Sequence, residues 1–374
     1  MEYLKRTALA VALFTSVFVL GPTDGTAQFN SNVTLKIGDA APALKVEGWA
    51  KGRPLTGFKK SNVYVIDFWA TWCGGCIASF PQISAIEEKY KGKVQFASID
   101  SYEDIGDNKG KDAVTIVKEF LKTPKGQTLK LNVAVDGKAN SMYNSWIKPL
   151  RRQGFPTTFI IDGEGKIAWV DVNLDQLDWA LEQVLAGTWD KQKAAQIMKG
   201  KDDLEDQLIK GFQDTANKKS IMRAMKSHTE QLEKQFPDRR DAFAFYKLFA
   251  LLEVDMSGVP AVLEQMAADP LSRYLNLSDA VGLTLQKPNL SKETYMACAK
   301  IQERLLQYQF KEKGYGGKSV KAYQELADTY YHAGNYKLAL SNIQEAIQLA
   351  QKEKVSAEKI EELQKMYGKY QQKG

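Results

Sequence analysis

The stretch that most constrains this chain is Val63-Tyr64-Val65-Ile66-Asp67-Phe68-Trp69-Ala70-Thr71-Trp72-Cys73-Gly74-Gly75-Cys76. Its run of β-branched and aromatic residues reads as a buried strand. The residues after it, Ile77, Phe80, Ile83 and Ile86, recur at helical spacing. Cys73 therefore falls where a strand hands over to a helix N-terminus. Free backbone N–H groups and the positive end of the helix dipole stabilise a thiolate at such a place. Gly74 and Gly75 allow a tight turn and leave the sulfur uncovered. An acidified thiol with a second thiol close by is the arrangement that thiol–disulfide exchange requires, Cys73 attacking and Cys76 resolving.

The chain has three cysteines in all, Cys73, Cys76 and Cys298, too few for a disulfide framework. A structural bond across two intervening residues would constrain little of the unfolded chain. A zinc site needs two more ligands, and Cys298, His228 and His332 fall at no ligand-like spacing, so neither metal nor cofactor is expected. Cys298, in Tyr295-Met296-Ala297-Cys298, reads as a small buried hydrophobe on a helix.

A second stretch, Gly154-Phe155-Pro156-Thr157-Thr158-Phe159-Ile160-Ile161-Asp162, leads a proline into an apolar strand. With both stretches in view, residues 35–187 resemble the thioredoxin superfamily, and within it the extracytoplasmic branch of TlpA and the cytochrome-maturation thioredoxins. The family's strand–Trp–Cys-x-x-Cys motif matches Asp67 to Cys76, its helix proline matches Pro81, and its cis-proline matches Pro156. Ile37-Gly38-Asp39-Ala40-Ala41-Pro42 is similar to the lead-in of peroxiredoxin-type (AhpC/TSA) members. The resemblance implies that Asp67 is a buried acid taking the proton of Cys76; burial raises a carboxyl pKa toward working pH and makes it a usable base. Family members often pair this acid with a lysine on the neighbouring strand, which here reads Gln95-Phe96-Ala97-Ser98. The glutamate that many TlpA-branch members carry three residues past the second cysteine is Ser79 here. A cis Pro156 followed by Thr157 would hold Phe155 ready to pair with a bound polypeptide. Trp69 and Trp72 are expected to form an apolar rim.

At 374 residues the chain calls for two domains. Its net charge of +6 is spread among interleaved acids and bases, which argues against nucleic acid as a partner. Lys5 and Arg6, the apolar run Thr7 to Leu20 and the small residues Gly25-Thr26-Ala27 read as an export signal over residues 1–27, with a mature chain from near Gln28. The apolar run is short for an uncleaved membrane anchor. No cysteine near the cleavage site offers a lipid attachment point. Export to the periplasm fits the redox reading, because disulfides persist outside the cytosol.

The expected architecture is an α/β thioredoxin-like domain at 28–187, a mixed central sheet flanked by helices, followed by an all-α domain at 188–374. A short helix is expected over Ala139 to Trp146, and a closing helix over Leu174 to Ala186 with Leu177, Leu181, Val184 and Leu185 buried. Strand signals vanish after Thr188. At 322–350, Leu326, Tyr330, Gly334, Tyr336, Ala339, Ile343 and Ala346 fall at the offsets of a tetratricopeptide repeat turning at Gly334-Asn335, with tyrosines 323, 330, 331 and 336 as packing positions. Ala242 to Met266 reads as a degenerate helix pair turning at Gly258-Val259-Pro260.

These features point to an exported thiol–disulfide oxidoreductase, in the reductive direction, acting on protein disulfides. The resemblance implies a membrane electron donor, and the helical domain is a candidate platform for a protein partner. Two other readings remain open: a thiol peroxidase, from the Ala40-Ala41-Pro42 lead-in, and a helical-repeat binding protein with a vestigial redox site.

Overall fold

The computed structural model describes residues 33–104, 108–172, 174–270, 274–312 and 316–373. The expected export signal and the start of the mature chain lie outside the described residues. The chain divides into two compact units between Met198 and Lys199.

The N-terminal unit is built on a six-stranded mixed sheet, β1 (Gly48–Lys51), β2 (Val63–Trp69), β3 (Val94–Asp100), β4 (Asn132–Val135), β5 (Thr157–Ile161) and β6 (Ile167–Asp171), in the order β1-β4-β3-β2-β5-β6. The pairs β2/β3 and β3/β4 are parallel; β1/β4, β2/β5 and β5/β6 are antiparallel. Every residue of β2 is buried, as its apolar run, broken only by Asp67, requires of a strand covered on both faces. Side chains alternate along it. Phe68 packs with Trp146 and Phe159 on one face. Trp69 packs with Phe80 and Phe120 on the other. The edges of the sheet are β1 and β6, and beside β6 Ala40 bridges to Lys166.

Helix α1 (Gly74–Lys89) follows β2, buries Cys76, Phe80, Ile83 and Ile86, and carries Pro81 within it. Helix α2 (Ala113–Lys122) is capped by Asp112, whose carboxylate accepts from Thr115 N at 2.8 Å. The expected helix at 139–146 is instead closed by a five-residue π-helix, Tyr143–Ile147, in which Lys148 N donates to Tyr143 O at 2.9 Å. Helix α3 (Leu177–Ala186) ends at Gly187, whose φ of 72° is the left-handed turn that glycine adopts without strain. The expected core of α3 is corrected: Leu185 is 38% exposed, Val184 is only partly buried, and Ala180 is buried with Leu177 and Leu181. At 3.6 residues per turn Leu185 stands about 80° round the helix from Leu177, beyond the buried stripe. Past Gly187 the chain still packs on this core: Trp189 Nε1 donates to Ala168 O at 2.7 Å, and Lys191 Nζ lies 2.6 Å from Asp162. The division of the chain accordingly falls within helix α4 (Lys191–Gln213).

The C-terminal unit is helical throughout its described residues, with α5 (Lys218–Gln235), α6 (Asp241–Val254), α7 (Val259–Ala268), α8 (Tyr274–Leu285), α9 (Lys292–Glu312), α10 (Gly316–His332), α11 (Tyr336–Lys352) and α12 (Ala357–Gln371). Helix α6 is buried along nearly its whole length, matching its apolar sequence DAFAFYKLFALLEV. Pro260 stands in the first turn of α7, where its missing N–H breaks no hydrogen bond. Helices α10 and α11 form a hairpin turning at Gly334 (φ 78°), and Asn335 caps α11 by accepting from Leu338 N at 3.2 Å. Leu326, Tyr330, Ala339, Ile343 and Ala346 are its buried positions, while Tyr336 is only partly buried. Cys298 is fully buried, and burial pushes its thiol up to about 12.

Candidate active site

Cys73 and Cys76 are joined, with an S–S distance of 2.00 Å and Cα atoms 5.3 Å apart. Cys73 is the N-cap of α1, and its Sγ accepts from Cys76 N at 3.2 Å. A helix-terminal N–H thus points at the sulfur expected to carry negative charge on reduction. Cys73 is 6% exposed and Cys76 1%, so the outer sulfur is the one a second disulfide can reach. The Phe155–Pro156 bond is cis. A Cβ added to Gly75 would stand 4.0 Å from Pro156 Cδ, which places the proline against the first turn of α1. Sequence stretches eighty residues apart are therefore brought together at one point.

Asp67 is 3% exposed, on the same face of β2 as Trp69, the face that α1 covers. Burial raises its carboxyl to about 7, against the opposing effect of hydrogen bonds from Thr158 Oγ1 at 2.8 Å and Ser98 Oγ at 3.0 Å. Both partners are its in-register neighbours, Ser98 on β3 and Thr158 on β5. Two hydroxyls thus stand at the position where the family resemblance led one to look for a lysine.

The expected rim is corrected in part. Trp69 is fully buried, because its place in the alternation turns it onto Phe80 and Phe120. Thr157 is 1% exposed, and its hydroxyl is used on Gly154 O at 2.7 Å. Neither presents a surface that a substrate could touch. Trp72 is partly exposed, its Nε1 donates to Tyr102 O at 3.0 Å, and its ring lies 6.0 Å from that of Phe155. Tyr143 and Tyr102, which the sequence did not single out, continue this aromatic cluster: Tyr143 is 6.0 Å from Phe155 and 4.8 Å from Tyr102. The π-helix delivers Tyr143, and Asp136 anchors its start by accepting from Met142 N and Tyr143 N at 2.6 and 2.9 Å. An acid at the end of an apolar strand was the one available signal.

The family model described as Redoxin matches residues 36–184. The N-terminal unit holds a redoxin domain of the thioredoxin superfamily. With its vicinal Cys73–Cys76 pair, this domain is a thiol–disulfide oxidoreductase. The chain is 27% identical over 160 residues to the protein FixW of Rhizobium leguminosarum, spanning 42% of this chain and 69% of that one. It is 27% identical over 167 residues to the thiol-disulfide oxidoreductase ResA of Bacillus subtilis (strain 168), spanning 44% and 82%. Among solved structures, a putative thiol:disulfide interchange protein DsbE from Chlorobium tepidum aligns at 28% identity, over 42% of this chain and 100% of that one, with a TM-score of 0.30.

Within the redoxin domain the two tryptophans separate by experiment. Trp69→Ala is expected to destabilise the domain by about 3–5 kcal/mol, the range for a large core ring. Trp72→Ala is expected to cost about 1–2 kcal/mol, one hydrogen bond and partial burial. Denaturant midpoints compare them; equal losses would contradict the packing described.

Proposed function

We propose that this protein is an exported protein-disulfide reductase. Cys73, as thiolate, attacks one sulfur of a substrate disulfide; a mixed disulfide forms and the first substrate thiolate departs. Asp67 takes the proton of Cys76, and the Cys76 thiolate attacks Cys73 Sγ, closing the Cys73–Cys76 bond and releasing the second substrate thiolate. Two electrons pass from the protein to the substrate, and a thiol donor at the membrane restores the dithiol. The observation that carries this reading is the Cys76 N–H aimed at Cys73 Sγ from the helix start.

Trp72 and Pro156 supply the surface against which a substrate chain lies, and Phe155, its ring buried, offers its backbone to pair with that chain. The helix pair at 322–350 is read as a tetratricopeptide-like hairpin that recruits a protein partner, since stacked helix pairs offer extended binding surfaces. Residues 1–27 direct the chain to the periplasm, where a disulfide substrate persists.

Equilibration of the full chain with glutathione buffers tests the direction. A reductase is expected near the thioredoxin value of about −270 mV; a potential close to about −120 mV would make it an oxidant instead. In the same reduced protein, thiolate absorbance should place Cys73 below the ordinary cysteine value of about 8.5. Rapid consumption of peroxide in preference to disulfides would overturn the proposal.

A further inference from the structure

Beneath the turn that leads into Cys73 lie two carboxyl groups that the exchange chemistry above does not use. Glu103 is 3% exposed and accepts from Thr71 N at 2.6 Å, Thr71 Oγ1 at 2.7 Å and Asn108 Nδ2 at 2.8 Å. Thr71 is two residues ahead of the nucleophile, and Cys73 N itself donates to Ala70 O at 3.0 Å. Asp100 closes β3 and is fully buried, with its carboxyl beside that of Glu103, to which it can donate a hydrogen bond when protonated. Its in-register neighbour on β2 is Trp69, whose indole N–H is without a partner among the described residues.

We propose that Asp100 and Glu103 act together as a positioning pair that holds the Ala70–Trp72 turn in front of Cys73, and that this hold governs how fast the reduced Cys73 attacks a disulfide.

The physical case has three parts. A buried carboxylate with three donors is well satisfied, and two of Glu103's donors belong to one residue of the active-site turn. Asp100 lies next to it, and the charged groups that act on it among the described residues are Glu103 and Asp136, both acidic; Asp136 in turn is acted on by Glu47. Burial, with Glu103 beside it, holds the Asp100 carboxyl well above the usual carboxylate range. Below its folded pKa Asp100 therefore keeps its proton. As pH rises through that value a new negative charge appears in the buried space beside Glu103, and repulsion acts on the group that ties Thr71.

The proposal rests on the assignment of Cys73 as the attacking sulfur. The test is the rate at which the full, reduced chain reacts with oxidised glutathione across pH, followed by tryptophan fluorescence, with mass spectrometry locating the mixed disulfide. Wild type should accelerate as the thiol ionises and then slow at alkaline pH. Asp100→Asn should abolish the alkaline slowing. Glu103→Ala should slow attack about tenfold, since small displacements of a reacting group cost rate steeply. Glu103→Gln, which keeps an acceptor for Thr71 N, should restore most of that rate. Thr71→Val, which removes one hydrogen bond and leaves both acids in place, should show a smaller slowing and serves if the acid variants do not fold. Rates within twofold of wild type for Glu103→Ala or, failing that, Thr71→Val would overturn the proposal. So would an alkaline slowing that is missing in wild type or survives in Asp100→Asn. A mixed disulfide found on Cys76 instead would sink the assignment of the nucleophile, a different failure.

Discussion

Cys73→Ser is expected to abolish disulfide exchange, by about 10³-fold or more, because the alcohol is not ionised at neutral pH and cannot attack sulfur. Cys76→Ser is expected to give the opposite phenotype: attack proceeds and the reaction stops halfway. The geometry explains the asymmetry. The Cα atoms are 5.3 Å apart and Cys76 is 1% exposed, so the inner sulfur reaches Cys73 and little else. With serine at 76, the mixed disulfide waits for an external thiol. Envelope extracts incubated with this variant should yield adducts on non-reducing gels, released by dithiothreitol, and mass spectrometry would identify the clients. Trapping through Cys298, or trapping undiminished by Cys73→Ser, would show that the wrong sulfur has been assigned. Buried Cys298, its thiol raised to about 12, is not expected to compete.

Asp67→Asn should move stability and activity in opposite directions. A carboxyl at about 7 in the folded protein, against about 3.9 in the unfolded chain, lowers stability progressively as pH climbs from about 4 to about 7, by up to about 4 kcal/mol in total. The sign follows from proton counting: over that window the folded state holds the proton and the unfolded state has lost it. The asparagine carries no such penalty, so the oxidised variant should be more stable than wild type at pH 8 and nearly equal to it at pH 4. All seven tryptophans, at 49, 69, 72, 146, 169, 179 and 189, precede Lys199. Urea unfolding followed by tryptophan fluorescence therefore reports on the redoxin-bearing unit within the full chain. Exchange turnover near neutral pH should fall by about 10–10²-fold for loss of a general base. If Asp67→Asn instead lowered stability at pH 8, Asp67 would be a structural carboxylate and the proton would need another acceptor.

Much of the site could be read locally. An apolar run ending in Trp-Cys-Gly-Gly-Cys specifies a buried strand, a tight turn and a helix start, because the strand period, the glycine turn and the helical stripe are each written within a few residues. Phe155-Pro156-Thr157 marks a second strand start by its proline in the same way. What escaped that reading depended on distant partners. Asp67 is held by Ser98, 31 residues on, and Thr158, 91 residues on. Serine and threonine in a strand carry no signal of the neighbour they face. Trp69 and Trp72 look alike in one dimension. Alternation puts the first under Phe80 and Phe120, and the turn brings the second out beside Phe155. Glu103 stands in a polar loop like any solvated acid until Thr71 is seen above it.

From the residue order alone come the elements and the sulfur chemistry, since both arise from interactions within a turn or two of chain. Folding adds the environment of each charged group: which acid is dry, which hydroxyls or amides it meets, which tryptophan is covered. Those depend on strand register and layer packing across tens of residues, and burial and hydrogen bonding from such neighbours are what turn an ordinary aspartate into one that holds its proton at neutral pH.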